Sequence, residues 1–288
     1  GLAARDAALD LDGLRGVADA VGAVDLSLRG AAGVRALLDD PELAVALDAR
    51  LADLDRDVAA TERWLDDAGH DVADIEATNA AIVAAKDALW AVRRDRLAAA
   101  AAVGALAGPG AHAAAVEAYT SVQLALSALD RLEVRGRDSA GLTVLVRGHD
   151  LDLATPATAA ALADRADPLF GDRAVCAAEG QLSFVYKAAA EIGELGDNTA
   201  AIRASIATDH LLRRALEHPD PQVPALGHTR WASVGIISQP NAHPLSSEEL
   251  DRVAADGHPY VTGVLNGDVD NYADLKVSEG LRIPAEIT

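Results

Sequence analysis

The chain has 288 residues, half of them hydrophobic, and a net charge of −20 from 45 acidic against 25 basic side chains. So negative a balance argues against nucleic acid and anionic membrane as partners, because phosphate repels it. A single cysteine, Cys176, excludes an internal disulfide and fits a reducing, cytoplasmic compartment; no apolar run approaches about 18 residues and no signal peptide is visible.

The length suffices for one large or two modest domains, and abundant alanine with only 3% aromatic residues predicts a helix-rich chain. Residues 1–109 read as helices. Asp40-Pro41-Glu42 is a helix start, with an N-capping aspartate, proline at the first position and an acid at the positive end of the dipole. Leu47, Leu51, Leu54, Val58, Thr61 and Leu65 then recur at spacings of four and three, and Gly69 offers a stop. A second helix carries Ile75, Ile82, Leu89, Val92 and Leu97 and ends near Gly108-Pro109-Gly110. The pair predicts a long antiparallel hairpin with a coiled-coil seam holding Trp64 and Trp90, and with His70 in the link. Its mixed acidic and basic faces fit a structural arm or an interaction surface.

Residues 110–288 read as a second domain of mixed structure. A helix over 111–133 places Val116, Tyr119, Leu126 and Leu129 on one face, and Leu142 to Val146 follows as a strand. Thr155 to Ala166 predicts a short helix, Gly171 to Gly180 a turn or hairpin, and Ser183 to Ala189 a strand. Helices near Asn198–Ala207 and Asp209–Glu217 precede a strand entering at Val223–Leu226, and Pro259 to Leu265 is a last strand.

That strand at 223–226 leads into Gly227-His228-Thr229-Arg230-Trp231-Ala232-Ser233-Val234-Gly235 and, soon after, Asn241-Ala242-His243-Pro244. An arginine between a strand and a glycine-bearing loop presents a planar fork that fits a carboxylate with two hydrogen bonds. From the bare residues, a site for a small acid competes with an ion-paired surface arginine. His228 and His243 read as packed, hydrogen-bonded histidines, Asn266-Gly267 as a turn, and Asp138-Ser139 as a cap at the start of a strand. No His/Cys/Asp grouping has metal-ligand spacing.

The stretch GHTRWASVG…NAHP resembles the GHTRWATHG…NAHP signature of the glutaminase domain of glutamine–fructose-6-phosphate aminotransferases. Arg131-Leu132-Glu133-Val134-Arg135-Gly136-Arg137-Asp138-Ser139-Ala140-Gly141 is similar to that family's RLEYRGYDSAG. Leu265-Asn266-Gly267 before Asn271-Tyr272 is similar to HNGIIENY. The three matches keep the family's order over roughly 115–147 and 183–277, and leave the helical first hundred residues as an insertion.

The resemblance implies an α+β fold, a four-layer αββα sandwich of the N-terminal nucleophile hydrolases. It implies glutamine hydrolysis by an N-terminal cysteine whose α-amino group is the base, with ammonia passed to fructose 6-phosphate and no cofactor. Asn266 and Gly267 take the oxyanion role, and Arg230 the glutamine α-carboxylate. Trp231, Ser233, Val234 and Arg135 line the same site. Ser233 keeps the hydroxyl of the family's threonine, whereas Val234 and Leu265 stand where it has histidines and Val134 where it has tyrosine. The complete enzyme would be a cytoplasmic homo-oligomer.

Cys176 lies mid-chain without a free α-amine and reads as a small buried thiol. The family's nucleophile therefore has no counterpart here, and neither does its downstream aspartate. With no methionine in the sequence, we expect a chain truncated at both ends and inactive alone. Two alternatives are another class II amidotransferase, such as the phosphoribosyl pyrophosphate type, and a non-catalytic platform whose hairpin binds a partner.

Overall fold

The structure, a computed structural model, describes residues 8–67, 75–167, 169–178, 180–190, 194–232, 235–247, 261–281, 283 and 285–287. The chain divides into two compact units, Gly1–Ala105 and Leu106–Thr288.

Among the described residues the first unit opens with α1 (Leu11–Ser27), α2 (Gly30–Asp39), α3 (Pro41–Asp66) and α4 (Ile75–Ala91). Asp40 caps α3 as its sequence predicts, its carboxylate accepting from the Leu43 N–H at 3.0 Å with Pro41 at the first position. The helix α4 runs through a π-helical segment, Val92–Leu97, into α5 (Ala98–Ala107). Leu51 and Val58 of α3 meet Ala81, Ile82, Ala85 and Leu89 of α4, but Leu14 and Val21 of α1 enter the same core. The seam expected between two helices is thus shared among three, because the alanines of α4 leave room for α1 to lie close. The placement of Trp90 in that seam is corrected: it is 55% exposed, and Trp64 is half-buried. His70 and Gly69 lie outside the described residues. Asp25, buried on α1, accepts from Arg29 and from Arg96 of the π segment, at 2.7 and 2.9 Å. Burial alone would raise its pKa, but these two guanidiniums outweigh it and hold it below the usual value.

In the second unit, α6 (Ala113–Leu132) is capped by His112 and passes through a 3₁₀ turn, Glu133–Arg135, into β1 (Ser139–Val146). Next come α7 (Pro156–Asp164), β2 (Val175–Ala178), β3 (Gln181–Ala189), α8 (Asp197–Ala207) and α9 (His210–Ala215). The signature strand is β4 (Ala225–Arg230); β5 (Leu245–Ser246), β6 (Thr262–Gly263) and α10 (Tyr272–Ser278) complete the chain. The sheet is antiparallel in the order β2-β3-β1-β4, and β5 pairs with β6 as a separate ribbon. The unit is therefore α+β. The loop over 171–180 is part of a β-hairpin, as its glycines predict. The strand expected from Pro259 is paired only at Thr262–Gly263; residues 259 and 260 lie outside the described residues.

The two sheet faces differ in chemistry. Ala140, Leu142 and Val144 of β1 pair with Ala188, Tyr186 and Phe184 of β3, and all six are buried. The helices α6 and α8 pack on the sheet, and a Cβ on Gly227, opposite Leu142, would lie 3.1 Å from Leu129 of α6. The alternate residues make the opposite face: Ser139, Gly141 and Thr143 of β1, Lys187 and Ser183 of β3, and Leu226, His228 and Arg230 of β4. A cavity of about 330 Å³ opens there between Thr143, Leu145, Cys176, Ser183, Leu226 and Thr262. Cys176 is buried, as expected. Both faces of β3 are covered, by α8 on one side and by Phe170, Ala174 and Cys176 around Val185 on the other, so its polar residues are buried with its apolar ones.

Candidate functional site

The three motif segments meet at one end of the polar sheet face. The register pairs Ser139 with Arg230 and Gly141 with His228, which brings RGRDSAG beside GHTR. Two glycines allow the approach. A Cβ on Gly136 would stand 3.0 Å from the Arg230 carbonyl carbon and 3.1 Å from that of Thr229. On Gly141 it would stand 2.2 Å from the His243 carbonyl oxygen, so the NAHP loop rests directly on β1.

Asp138 closes a backbone clamp around the arginine. Its N–H donates to the Arg230 carbonyl at 3.2 Å, and its carboxylate accepts from the Ala232 N–H at 2.7 Å. The strand β4 is thereby pinned on both sides of Arg230-Trp231. We expect Asp138→Ala to cost about 1–2 kcal/mol, the worth of a charge-assisted bond lost at a half-buried site. The denaturation midpoint should fall accordingly; an unchanged midpoint would show that the clamp is idle.

Arg230 itself is half-buried, and its Nη1 donates to the Ile236 carbonyl at 3.2 Å, closing the loop that follows the strand. Trp231 is 73% exposed and Arg135 is exposed. Ser233 and Val234 lie outside the described residues. Asn266 and Gly267 are exposed, and Gly267 has φ +145°, a conformation glycine adopts freely. The preceding Leu265 donates its N–H to Nδ1 of His243 at 3.4 Å, which ties the Asn-Gly loop to the same centre.

The histidines were legible in sequence only as packed residues; their pairing was not. Their rings lie 4.9 Å apart, tilted at 51°. Burial lowers the pKa of both. The neighbouring positive groups lower it further: Arg230 for His228, and His228, Arg230 and Lys187 for His243, which falls to about 4. Lys187, buried on β3, carried no sequence signal beyond its rarity. Asn241 of NAHP is buried and donates to Ser238 and to the Glu286 carbonyl, both at 2.9 Å. Arg and neutral imidazoles beside an exposed Asn-Gly turn can bind a carboxylate and donate to an oxyanion, but among the described residues no thiol stands with them. Among the described residues no group of three or more His, Cys, Asp or Glu could hold a metal ion, and no helix is long and apolar enough to cross a membrane.

The second unit is thus an antiparallel α+β unit with an arginine-centred site at one sheet end. The chain is similar to curated glutamine–fructose-6-phosphate aminotransferases [isomerizing] over about half its length. It is 29% identical to the Gluconobacter oxydans enzyme over 153 residues, 53% of this chain and 16% of that protein. The Encephalitozoon cuniculi enzyme is 30% identical over 152 residues, 53% of this chain and 15% of that one. The Lactiplantibacillus plantarum enzyme is 29% identical over 158 residues, 54% and 16% respectively. The matched stretch therefore spans about a sixth of those relatives. No family model and no solved structure matches the chain.

Proposed function

We propose that residues 106–288 form the glutamine-binding part of a class II glutamine amidotransferase of the glutamine–fructose-6-phosphate type, with the four-layer αββα architecture of that class. One observation carries the reading: three segments far apart in sequence, each similar to a motif of those enzymes, converge on Arg230 and the His228–His243 pair. In this role the Arg230 guanidinium holds the α-carboxylate of glutamine, flanked by Trp231, Ser233, Val234 and Arg135. The Asn266 amide and the Gly267 N–H stabilise the oxyanion formed when a thiolate attacks the side-chain amide; one such donor is worth about 2.7–4 kcal/mol. The thiol of Cys176, buried in β2 within a strand pair, does not serve as that nucleophile. In the complete cytoplasmic enzyme, a homo-oligomer, the ammonia goes to fructose 6-phosphate.

The one cysteine of this sequence, Cys176, lies in β2 and not at this site, so glutamine binding is the assay. Calorimetry should show L-glutamine binding with no glutamate release. Arg230→Lys should weaken it about tenfold or more, because an ammonium loses one of two parallel bonds. Glutamine binding equally tight in Arg230→Lys would remove Arg230 from the site. No binding by the folded wild-type chain would favour the non-catalytic platform.

A further inference from the structure

We propose that His243, backed by His228, is the positioning residue of the Asn266–Gly267 loop: its neutral imidazole anchors Leu265, and protonation of that imidazole releases the loop. The inference rests on the glutamine-site reading for its meaning, but its geometry stands apart from it.

The anchor is a single acceptor. Nδ1 of His243 takes the Leu265 N–H at 3.4 Å, and it can do so only while it carries no proton. The imidazole is itself held in place. Its carbonyl lies against Gly141 of β1 with no room for a side chain between, and its ring packs on that of His228. Asn266 directly follows the anchored residue, so the position of its amide is inherited from this bond.

The surroundings keep the acceptor deprotonated. From β4, His228 and Arg230 face His243; from β3, Lys187 does; from β1, the contact is the Gly141 backbone; from the β6 side, it is the Leu265 backbone, whose N–H donates to Nδ1 and so favours the unprotonated ring. Every charged group on that roll is cationic. Burial is the first cause that depresses the His243 pKa, and these cations add to it, to about 4. The sign follows: the loop is held at neutral pH and released as pH falls through that value.

The test is hydrogen exchange read by mass spectrometry on this chain, over the peptide containing Leu265 to Gly267, between pH 6 and pH 4. Rates are corrected for intrinsic exchange, and a β1 peptide reports global unfolding. In the wild type the corrected rate should rise at least about tenfold, as the protonated fraction goes from about a hundredth to about a half. His243→Asn offers an amide oxygen near the place of Nδ1 and does not titrate, so exchange should stay slow and flat with pH. His243→Ala should exchange fast throughout. A wild-type rate flat over this range, with β1 protected, would overturn the proposal; so would an asparagine variant as fast as alanine, or one that keeps the wild-type pH dependence. If the alanine variant does not fold, the wild-type series and the asparagine variant decide alone. Loop release as described, in a chain that binds no glutamine, would leave the positioning role standing and remove only the glutamine reading.

Discussion

Replacing Asp209 with alanine should lower the stability of the second unit by about 3 kcal/mol, because it removes a buried carboxylate and strips the counter-charge from an arginine whose side chain is only 15% exposed. Asp209 is 1% exposed and serves four partners. Its carboxylate accepts from Arg165 at 2.8 Å and from the buried Tyr186 hydroxyl at 2.8 Å, and it caps α9 through the Leu211 and Leu212 N–H groups, each at 3.0 Å. Arg165 also lies over the Phe184 ring and donates to the Arg173 carbonyl at 2.6 Å, so it cannot leave with its partner. Loss of the cap alone would account for about 1 kcal/mol; the stranded guanidinium and hydroxyl account for the rest. For a unit of this size the midpoint of thermal unfolding should fall by about 10 °C. Asp209→Asn keeps one acceptor and should lose roughly half as much. Burial raises the Asp209 pKa, but the bonds from Arg165, Leu212 and Tyr186 outweigh it and hold it below the usual value. Its stabilisation is therefore complete above the unfolded aspartate pKa and is lost as pH falls through the lower folded one. A midpoint within about 2 °C of the wild type in Asp209→Ala would show that the network is dispensable.

Gly141→Ala should be as damaging, and its damage should fall on the site. The new methyl would stand 2.2 Å from the His243 carbonyl oxygen, a backbone atom that no rotamer change can move aside, and 3.2 Å from Cγ of Lys187. The NAHP loop must lift from β1, at about 3 kcal/mol or more. With it goes the imidazole that receives Leu265, so glutamine binding should fall below detection before the sheet itself melts. Gly227→Ala is the control. It sits one residue from His228 in the same strand, but its methyl would meet only the Leu129 side chain at 3.1 Å, which can turn. Its cost should stay below about 1.5 kcal/mol. Equal stability of Gly141→Ala and wild type by denaturant titration would mean that the two segments are not in contact in solution.

Elements with a local cause were legible in the chain. The cap at Asp40-Pro41, the helix bearing Val116, Tyr119, Leu126 and Leu129, the short helix starting near Thr155 and the hairpin region ending at Gly180 each have causes within a few residues, so pattern reading finds them. Arg230 and Asn266-Gly267 were legible as motif residues, because the segments around them keep the spacing of the enzymes they resemble. Where reading went astray, the cause was a distant neighbour. Trp90 has the look of a core residue, but the face of α4 that enters the core shared with α1 and α3 is made by Ala81, Ile82, Ala85 and Leu89, and Trp90 lies outside it. Ser183 to Ala189 forms a strand as expected, but its pattern did not show that Ser183 and Lys187 would be buried.

What the sequence by itself determined is the helical character of the first hundred residues, the mixed character of the rest, and the three motif segments that meet at one end of the sheet. Only the tertiary structure decided that Gly141 carries the NAHP loop, that Asp138 clamps the strand around Arg230, and that His243 receives Leu265. The physical reason is separation. These contacts join residues 22 to 102 positions apart in the sequence, and each depends on a close backbone approach set by sheet register. Neither propensity nor periodicity carries that information, because both are properties of neighbours along the chain.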